Sequence, residues 1–297
     1  MIKFIKKLGE LKWEDAFKIE NFNVIKDENN YYFFRALNNE DNEDYEKGII
    51  TDEKGNIQKI RTDRERCKDN TKYDENSILN LEQVYDHVKM NHRKDTNCIS
   101  LSVSAKVSIS YGMDYHKDRY IIVKIPKKNY GKLVINAGQY MLEEIDKKVN
   151  ESIASINDDN LVQKINRIEN TNSTEELIQI ISQKYITKEK IQNKKHKLKK
   201  EIMYMSPIVR MTSYGILNEK QTLEKNKIIA KLTLLERNQK IEPIIPNTTR
   251  NDLLIRTIKN AFTSLEFLHY GIIKKEEIIN IPKEVVDLFD TMQNSKN

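Results

Sequence analysis

Short runs of β-branched and aromatic residues alternate with polar turns between residues 31 and 134. Three of these runs are YYFFRAL, CISLSVS and RYIIVKI, which begin at Tyr31, Cys98 and Arg119. Such runs are typical of strands, because branched and aromatic side chains pack well on a pleated surface. The pattern therefore predicts a sheet in this part of the chain.

A helical pattern replaces the strand pattern after residue 139. Apolar residues recur at steps of three and four from Leu161 to Ile168 and again from Leu177 to Tyr185. This spacing places them on one face of a helix. Ser173 and Glu176 form a capping box, which marks one helix start. We therefore expect a helical insertion.

The last part of the chain returns from helix to strand. A helix is predicted from Thr249 to Phe262, and the alternating segment SLEFLHYG, Ser264 to Gly271, follows it as a strand. The predicted segments are an N-terminal helical or extended segment (1–30), the first part of a core (31–138), the helical insertion (139–250) and the C-terminal part of the core (251–297).

Composition limits the class of protein. The chain has 297 residues, of which 38% are hydrophobic and 32% charged, as in a globular protein. No apolar run approaches the ~20 residues that cross a bilayer, and the first residues lack the apolar core of a signal peptide. We expect a cytoplasmic protein without membrane contact. Cys67 and Cys98 fit neither a disulfide framework nor a zinc site, so no metal is predicted.

The charge pattern contains one basic concentration. The net charge is +6, and lysines cluster from Lys188 to Glu201. This segment fits contact with nucleic acid or a membrane surface, or the solvated face of a lysine-rich helix. The motifs GxGxxG, GxxxxGK(S/T), HExxH and GxSxG are absent, so the common nucleotide, zinc-protease and hydrolase signatures do not explain the chain.

Arg35 places a cation inside the aromatic strand YYFFRAL. A buried charge without a partner is costly, so this guanidinium needs one. A planar guanidinium binds phosphate oxygens through two parallel hydrogen bonds, and the pyrophosphate of a dinucleotide fits this geometry. The segment equally allows an arginine that pairs with a carboxylate or faces water.

Serine residues alternate with apolar residues in CISLSVS. In a strand, Ile99 and Leu101 share one face, while Ser100, Ser102 and Ser104 share the other. A row of hydroxyls can hold a catalytic carboxylate or bind the ribose and amide groups of a ligand. An ordinary half-exposed strand has the same pattern.

Glu266 lies in the predicted C-terminal strand, where a lone glutamate is a weak signal. Glu266 becomes a candidate because it follows the arginine and the serines in the order of the chain.

Among the histidines, His87 and His92 are interpreted as surface residues, because their spacing does not align them as helical metal ligands. His269 alternates away from Glu266 and is interpreted as structural.

The three elements in this order resemble the ADP-ribosyltransferase family. The branch concerned has an arginine on the first core strand, a serine-any-serine stretch on a middle strand and a glutamate late in the chain. FRAL with Arg35 resembles the first element, and CISLS with Ser100 and Ser102 resembles the second. SLEFLHYGII with Glu266 is similar to the third. The resemblance covers about half of the chain.

The resemblance implies an α+β fold with a split, mostly antiparallel β-sheet around a cleft and a large helical insertion. It implies that NAD is the substrate and that Glu266 stabilises the positive charge that develops on its ribose. Ser100 or Ser102 would position this carboxylate, Arg35 would bind the pyrophosphate, and Tyr111 would stack on nicotinamide. Tyr111 equally fits a core tyrosine. The implied reaction is mono-ADP-ribosyl transfer to a macromolecule.

Two departures from the family pattern stand out. Ser264 takes the place, two residues before the glutamate, where the family often has glutamate or glutamine, so arginine and asparagine acceptors are in doubt. The chain between the serine strand and Glu266 is also long, which a helical insertion would explain. Glu143 and Glu144 in AGQYMLEEID are the competing candidates, although their segment has the pattern of a helix start. We favour Glu266.

The acceptor stays open between protein and nucleic acid. A toxin, a phage-defence effector and a regulatory modifier are all compatible with the reaction, as is a neutralising partner protein. Two alternatives stay open as well. One is a noncatalytic protein- or nucleic-acid-binding module on the same scaffold, and the other is an NAD glycohydrolase that uses water as acceptor.

Overall fold

The computed structural model describes residues 25–37, 49–51, 57–62, 78–89, 96–103, 108, 119–181, 219–248 and 251–280. These residues form ten strands and six α-helices. The strands are β1 (Ile25–Lys26), β2 (Asn30–Leu37), β3 (Ile49–Thr51), β4 (Ile57–Ile60), β5 (Cys98–Ser102), β6 (Arg119–Pro126), β7 (Val134–Asn136), β8 (Glu266–Tyr270), β9 (Ile273–Lys274) and β10 (Ile278–Asn280). The helices are α1 (Leu81–Val88), α2 (Ala137–Ile153), α3 (Asp159–Asn170), α4 (Thr174–Ile181), α5 (Glu219–Arg237) and α6 (Asp252–Thr263).

The chain divides into two compact units. The first combines residues 1–137 with residues 264–297, and the second consists of residues 138–263. The second unit begins one residue before the predicted insertion. It also takes in helix α6, which the sequence pattern assigns to the C-terminal segment. Most of the predicted N-terminal segment, residues 1–24, lies outside the described ranges.

The first unit contains two sheets. The strands of the main sheet follow the order β10-β6-β2-β5-β8-β7, and β1 pairs with β2 outside this path. The smaller sheet has the order β3-β4-β9. Every ladder between these strands is antiparallel. The prediction of an α+β fold with a mostly antiparallel sheet is therefore confirmed.

The central strands of the main sheet are covered on both faces. Phe33 and Phe34 follow each other in β2 and so point to opposite faces, yet they are only 0% and 4% exposed. In β8, Phe267 and Leu268 are each 1% exposed. Polar side chains on such strands need hydrogen-bond partners, because burial without a partner is costly. The partners of the polar residues on β2, β5 and β8 define the site.

The described part of the second unit is helical, as the sequence predicts. Leu161 and Ile168 lie on the buried face of α3. Ser173 caps α4, because its Oγ accepts a hydrogen bond from the Glu176 amide at 3.1 Å. The Glu176 carboxylate accepts a hydrogen bond from the Thr171 hydroxyl. The predicted capping box is therefore confirmed for one of its two hydrogen bonds, the one from the Glu176 amide to the Ser173 side chain.

Helix α5 runs through the interior of the second unit. Its Lys231 side chain is only 6% exposed, and its Nζ lies 2.7 Å from Glu169 Oε1 and 3.3 Å from Asp146 Oδ1. A lysine at this depth requires such carboxylates, since an unpaired buried charge is strongly unfavourable.

Across the described residues, no helix combines the length and the apolar character that a membrane span requires.

Gly138 gives a test of the packing in the second unit. A Cβ atom built on this glycine would lie 2.8 Å from Cδ2 and Cε2 of the Phe262 ring, which is 1% exposed. We expect Gly138→Ala to lower the free energy of unfolding by about 1–3 kcal/mol, measured by urea denaturation. Asn150→Ala, at an exposed position of the same helix, is the matched control. A Gly138→Ala protein as stable as the wild type would contradict this packing.

Candidate functional site

Three neighbouring strands carry the residues that the sequence singles out. Arg35 lies on β2, Ser100 and Ser102 lie on β5, and Glu266 begins β8. In the ladder between β5 and β8, Ser102 pairs directly with Glu266. Directly paired residues present their side chains on one face, and so do residues two apart on a strand. The two serines and the glutamate therefore share a face of the sheet.

The Ser100 hydroxyl orients the Glu266 carboxylate. Ser100 Oγ donates a hydrogen bond to Glu266 Oε1 at 2.8 Å, across 166 positions of sequence. Both side chains are half-buried. The distance is typical of an O–H···O bond, and an ionised carboxylate only accepts. This contact fixes the carboxylate through a neutral donor.

Ser102 contacts the turn before Glu266 rather than the carboxylate. Its Oγ donates to the carbonyl oxygen of Ser264 at 3.3 Å, and its side chain is buried. The Ser264 hydroxyl in turn lies 3.5 Å from Glu266 Oε2. The two serines of the motif thus differ in their contacts, because Ser100 holds the side chain of the glutamate and Ser102 holds its turn.

Arg35 links β2 to the same part of β5. Its Nη1 donates to the carbonyl oxygen of Ser100 at 2.8 Å. Among the described residues, β2 pairs with β5 at one position, Phe34 with Ser102. The guanidinium therefore adds a connection between the two strands at the residue whose hydroxyl holds Glu266. Arg35 follows Phe34, the residue that pairs with Ser102, so its Cα–Cβ bond points to the other face of the sheet, and its guanidinium contacts the main chain of the serine motif.

His87 also contacts Ser100, so its interpretation as a surface histidine is wrong. Its ring is half-buried, with Nδ1 2.7 Å from Thr96 Oγ1 and Nε2 2.9 Å from Ser100 Oγ. The ring lies in the last turn of α1, whose start is capped by Asn80. The buried face of this helix includes Val84 and Val88. His87 follows Val84 by three positions, and this helical spacing was the available signal.

The hydrogen-bond pattern fixes which nitrogen of His87 carries a proton. Ser100 has one hydroxyl proton and gives it to Glu266. Ser100 Oγ must therefore accept from His87, so Nε2 carries hydrogen. Nδ1 accepts from the Thr96 hydroxyl when the ring is neutral and donates to it when the ring is protonated. A chain of hydrogen bonds thus runs from Thr96 through His87 and Ser100 to Glu266.

The other predicted candidates do not belong to strands β2, β5 and β8. Glu143 and Glu144 belong to helix α2 of the second unit, as their helical pattern predicts, and Glu143 is exposed and accepts a hydrogen bond from Gln139. Tyr111 lies outside the described residues, as do Ser104, Cys67, His92 and the lysine-rich segment from Lys188 to Glu201.

The arrangement combines an oriented carboxylate with an arginine and a histidine. A carboxylate in a partly buried site stabilises a developing positive charge more strongly than in water. A guanidinium on the next strand suits a phosphate group.

Comparison of the chain with models of protein families, with curated proteins and with solved structures found no match.

His269, three residues after Glu266, is buried and structural in its contacts. Its ring nitrogen Nδ1 lies 2.9 Å from the carbonyl oxygen of Gly271, so Nδ1 carries hydrogen and donates. Nε2 is buried and has no hydrogen-bond partner among the described residues. Burial lowers the pKa of His269 from its usual value, against the opposing effects of the Glu277 carboxylate and the Gly271 carbonyl.

The lowered pKa of His269 predicts that the folded protein loses stability in acid. The unfolded chain has the ordinary histidine pKa of about 6.5, so below that pH it binds more protons than the folded chain does. The stability contribution is complete above about pH 6.5 and decreases below it, by at most about 1.4 kcal/mol per pH unit. Urea denaturation at neutral and mildly acidic pH measures this slope. His269→Asn keeps a donor for Gly271 but cannot titrate, and an equal slope in this variant would contradict the assignment.

Proposed function

We propose that this protein is a mono-ADP-ribosyltransferase that transfers ADP-ribose from NAD to a macromolecule. The observation that supports the proposal most directly is the 2.8 Å hydrogen bond from Ser100 to Glu266, with Arg35 bound to the same serine residue. The order of arginine, serine and glutamate in the sequence suggests this reaction. The contact of Ser100 with Glu266 on two adjacent strands supports it, and Arg35 on the third strand contacts the main chain of Ser100.

The chemistry requires a carboxylate at the anomeric carbon of the nicotinamide ribose. When the bond from this carbon to the nicotinamide nitrogen breaks, its electron pair leaves with nicotinamide, and positive charge develops on the ribose ring. Glu266 stabilises this charge, while Ser100 keeps the carboxylate in place before the substrate arrives. The acceptor then bonds to the anomeric carbon and loses its proton.

Arg35 binds NAD away from the bond that breaks. The guanidinium of Arg35 binds the pyrophosphate, because its planar N–H donors match two phosphate oxygens. The resemblance assigns Tyr111 to stacking on nicotinamide, as aromatic rings stack on flat heterocycles. Ser102 supports Glu266 through the carbonyl of Ser264. The acceptor is a protein or a nucleic acid, and toxin and defence roles are compatible with either.

Glu266→Gln tests the proposal. We expect wild-type protein, incubated with NAD and a cell extract, to release nicotinamide and to produce an ADP-ribosylated macromolecule. The variant keeps the size and the acceptor oxygen of the side chain but loses its charge, so release should fall by at least about a hundredfold. Mass spectrometry of nicotinamide and of the modified macromolecules measures both products.

Glu276→Gln is the matched control, because Glu276 is an exposed carboxylate of the same unit. It should leave both products unchanged. Release of nicotinamide without a modified macromolecule would identify a glycohydrolase. Release that survives in Glu266→Gln would move the catalytic carboxylate to Glu143 or Glu144. A folded wild-type protein that consumes no NAD would contradict the enzyme and favour a binding module.

Two substitutions of His87 separate its hydrogen bonds. Glutamine places an N–H donor near the position of Nε2 and can still donate to Ser100, whereas asparagine reaches only the position of Nδ1 near Thr96. We expect His87→Gln to retain most of the nicotinamide release and His87→Asn to lose about tenfold or more, since small misplacements of a catalytic group are costly. Steady-state kinetics with NAD measures the difference. Equal activity of the two variants would show that the bond to Ser100 is not required.

A further inference from the structure

The residue directly before Glu266 has an unusual backbone conformation. Leu265 has a φ of +49°, which lies in the left-handed region that non-glycine residues seldom occupy. Helix α6 ends at Thr263, and a left-handed residue just beyond a helix end is usually glycine. Here the position holds a leucine with a side chain that is 3% exposed.

Burial distinguishes Leu265 from similar positions. Gln239 and Asn247 are the other non-glycine residues of the described ranges with positive φ, and both are exposed. Asparagine tolerates the left-handed region because its short polar side chain bonds locally, and leucine has no such compensation. A strained residue persists only where the surrounding structure holds it. For Leu265, the buried side chain supplies this constraint.

A hydrogen bond holds the same turn from the backbone side. Ser102 Oγ donates to the carbonyl oxygen of Ser264 at 3.3 Å. This carbonyl belongs to the planar peptide group that joins Ser264 to Leu265. The φ of Leu265 is the rotation of this plane about the N–Cα bond of Leu265. The buried Ser102 hydroxyl and the buried leucine side chain therefore fix one torsion together.

We propose that Leu265 is a positioning residue for Glu266. Its buried side chain and the Ser102 bond keep the turn left-handed, and this conformation directs the Glu266 carboxylate to Ser100. A turn that relaxed to ordinary φ would rotate the Cα–Cβ bond of the next residue and draw Oε1 away from Ser100 Oγ. The effect on turnover rests on the proposed function, whereas the effect on the hydrogen bond does not.

Two substitutions test the role of the side chain. Leu265→Gly permits the left-handed conformation without strain but removes the buried group. Leu265→Met keeps a long, unbranched apolar side chain. We expect the methionine variant to retain wild-type kcat and the glycine variant to lose about tenfold or more in kcat with an unchanged KM for NAD, because a displacement of ~1 Å costs on the order of a hundredfold.

Crystal structures of the same two variants give a readout that does not depend on NAD. The Ser100 Oγ to Glu266 Oε1 distance is 2.8 Å in the wild type. We expect it to stay near this value in Leu265→Met and to exceed hydrogen-bond range in Leu265→Gly. Leu265→Ala replaces the glycine variant if that protein does not fold, since alanine also removes most of the buried side chain but limits the unfolded backbone more than glycine does.

The outcomes separate the two proposals. A hydrogen bond that persists in the Leu265→Gly crystal overturns the positioning role, whatever the enzyme does. A folded glycine variant with lower stability but unchanged kcat also overturns it, because that result describes a purely structural residue. A wild-type protein without NAD turnover ends the proposed function, and the crystallographic distance still decides the role of Leu265.

Discussion

The antiparallel pairing of β5 with β8 is the constraint on which the candidate site depends. It sets Ser102 opposite Glu266 and Leu101 opposite Phe267. Side chains alternate between faces, so a shift of one residue would carry Glu266 to the face that Phe267 occupies, where the ring is 1% exposed. Burial of a carboxylate at that position would be unfavourable. The same apolar burial that stabilises the sheet therefore selects the register that joins Ser100 to Glu266.

The path of the chain explains how residues so distant in sequence become neighbours. Asn136, the last residue of β7, pairs with Phe267 of β8. Residues 138–263 therefore leave the first unit and return to it at adjacent positions of one sheet. An insertion whose two ends lie side by side does not require a change in the strands that it separates. The long interval between the serine motif and Glu266 follows from this topology.

The strands and helix faces could be predicted because burial imposes a period on the sequence. The aromatic residues next to FRAL predict a strand, and the spacing from Leu161 to Ile168 predicts one face of a helix. The sheet order could not be predicted in this way, since neighbouring strands can lie far apart in the chain. His87 shows the same limit. The helical spacing could predict that His87 lies near the buried face of α1. It could not predict the contact with Ser100, because tertiary packing brings these two residues together.

The hydrogen-bond chain at the site also has a direction that no single residue reveals. Ser100 donates to Glu266, and His87 donates to Ser100. When the ring is neutral, Thr96 donates to His87 in the same sense. All three donors then point their positive ends toward the carboxylate, so their dipoles favour its negative form and reinforce one another. A carboxylate held this way needs little reorganisation when a positive charge develops beside it. The order of donors thus connects a helix that the motif does not include to the chemistry that the motif suggests.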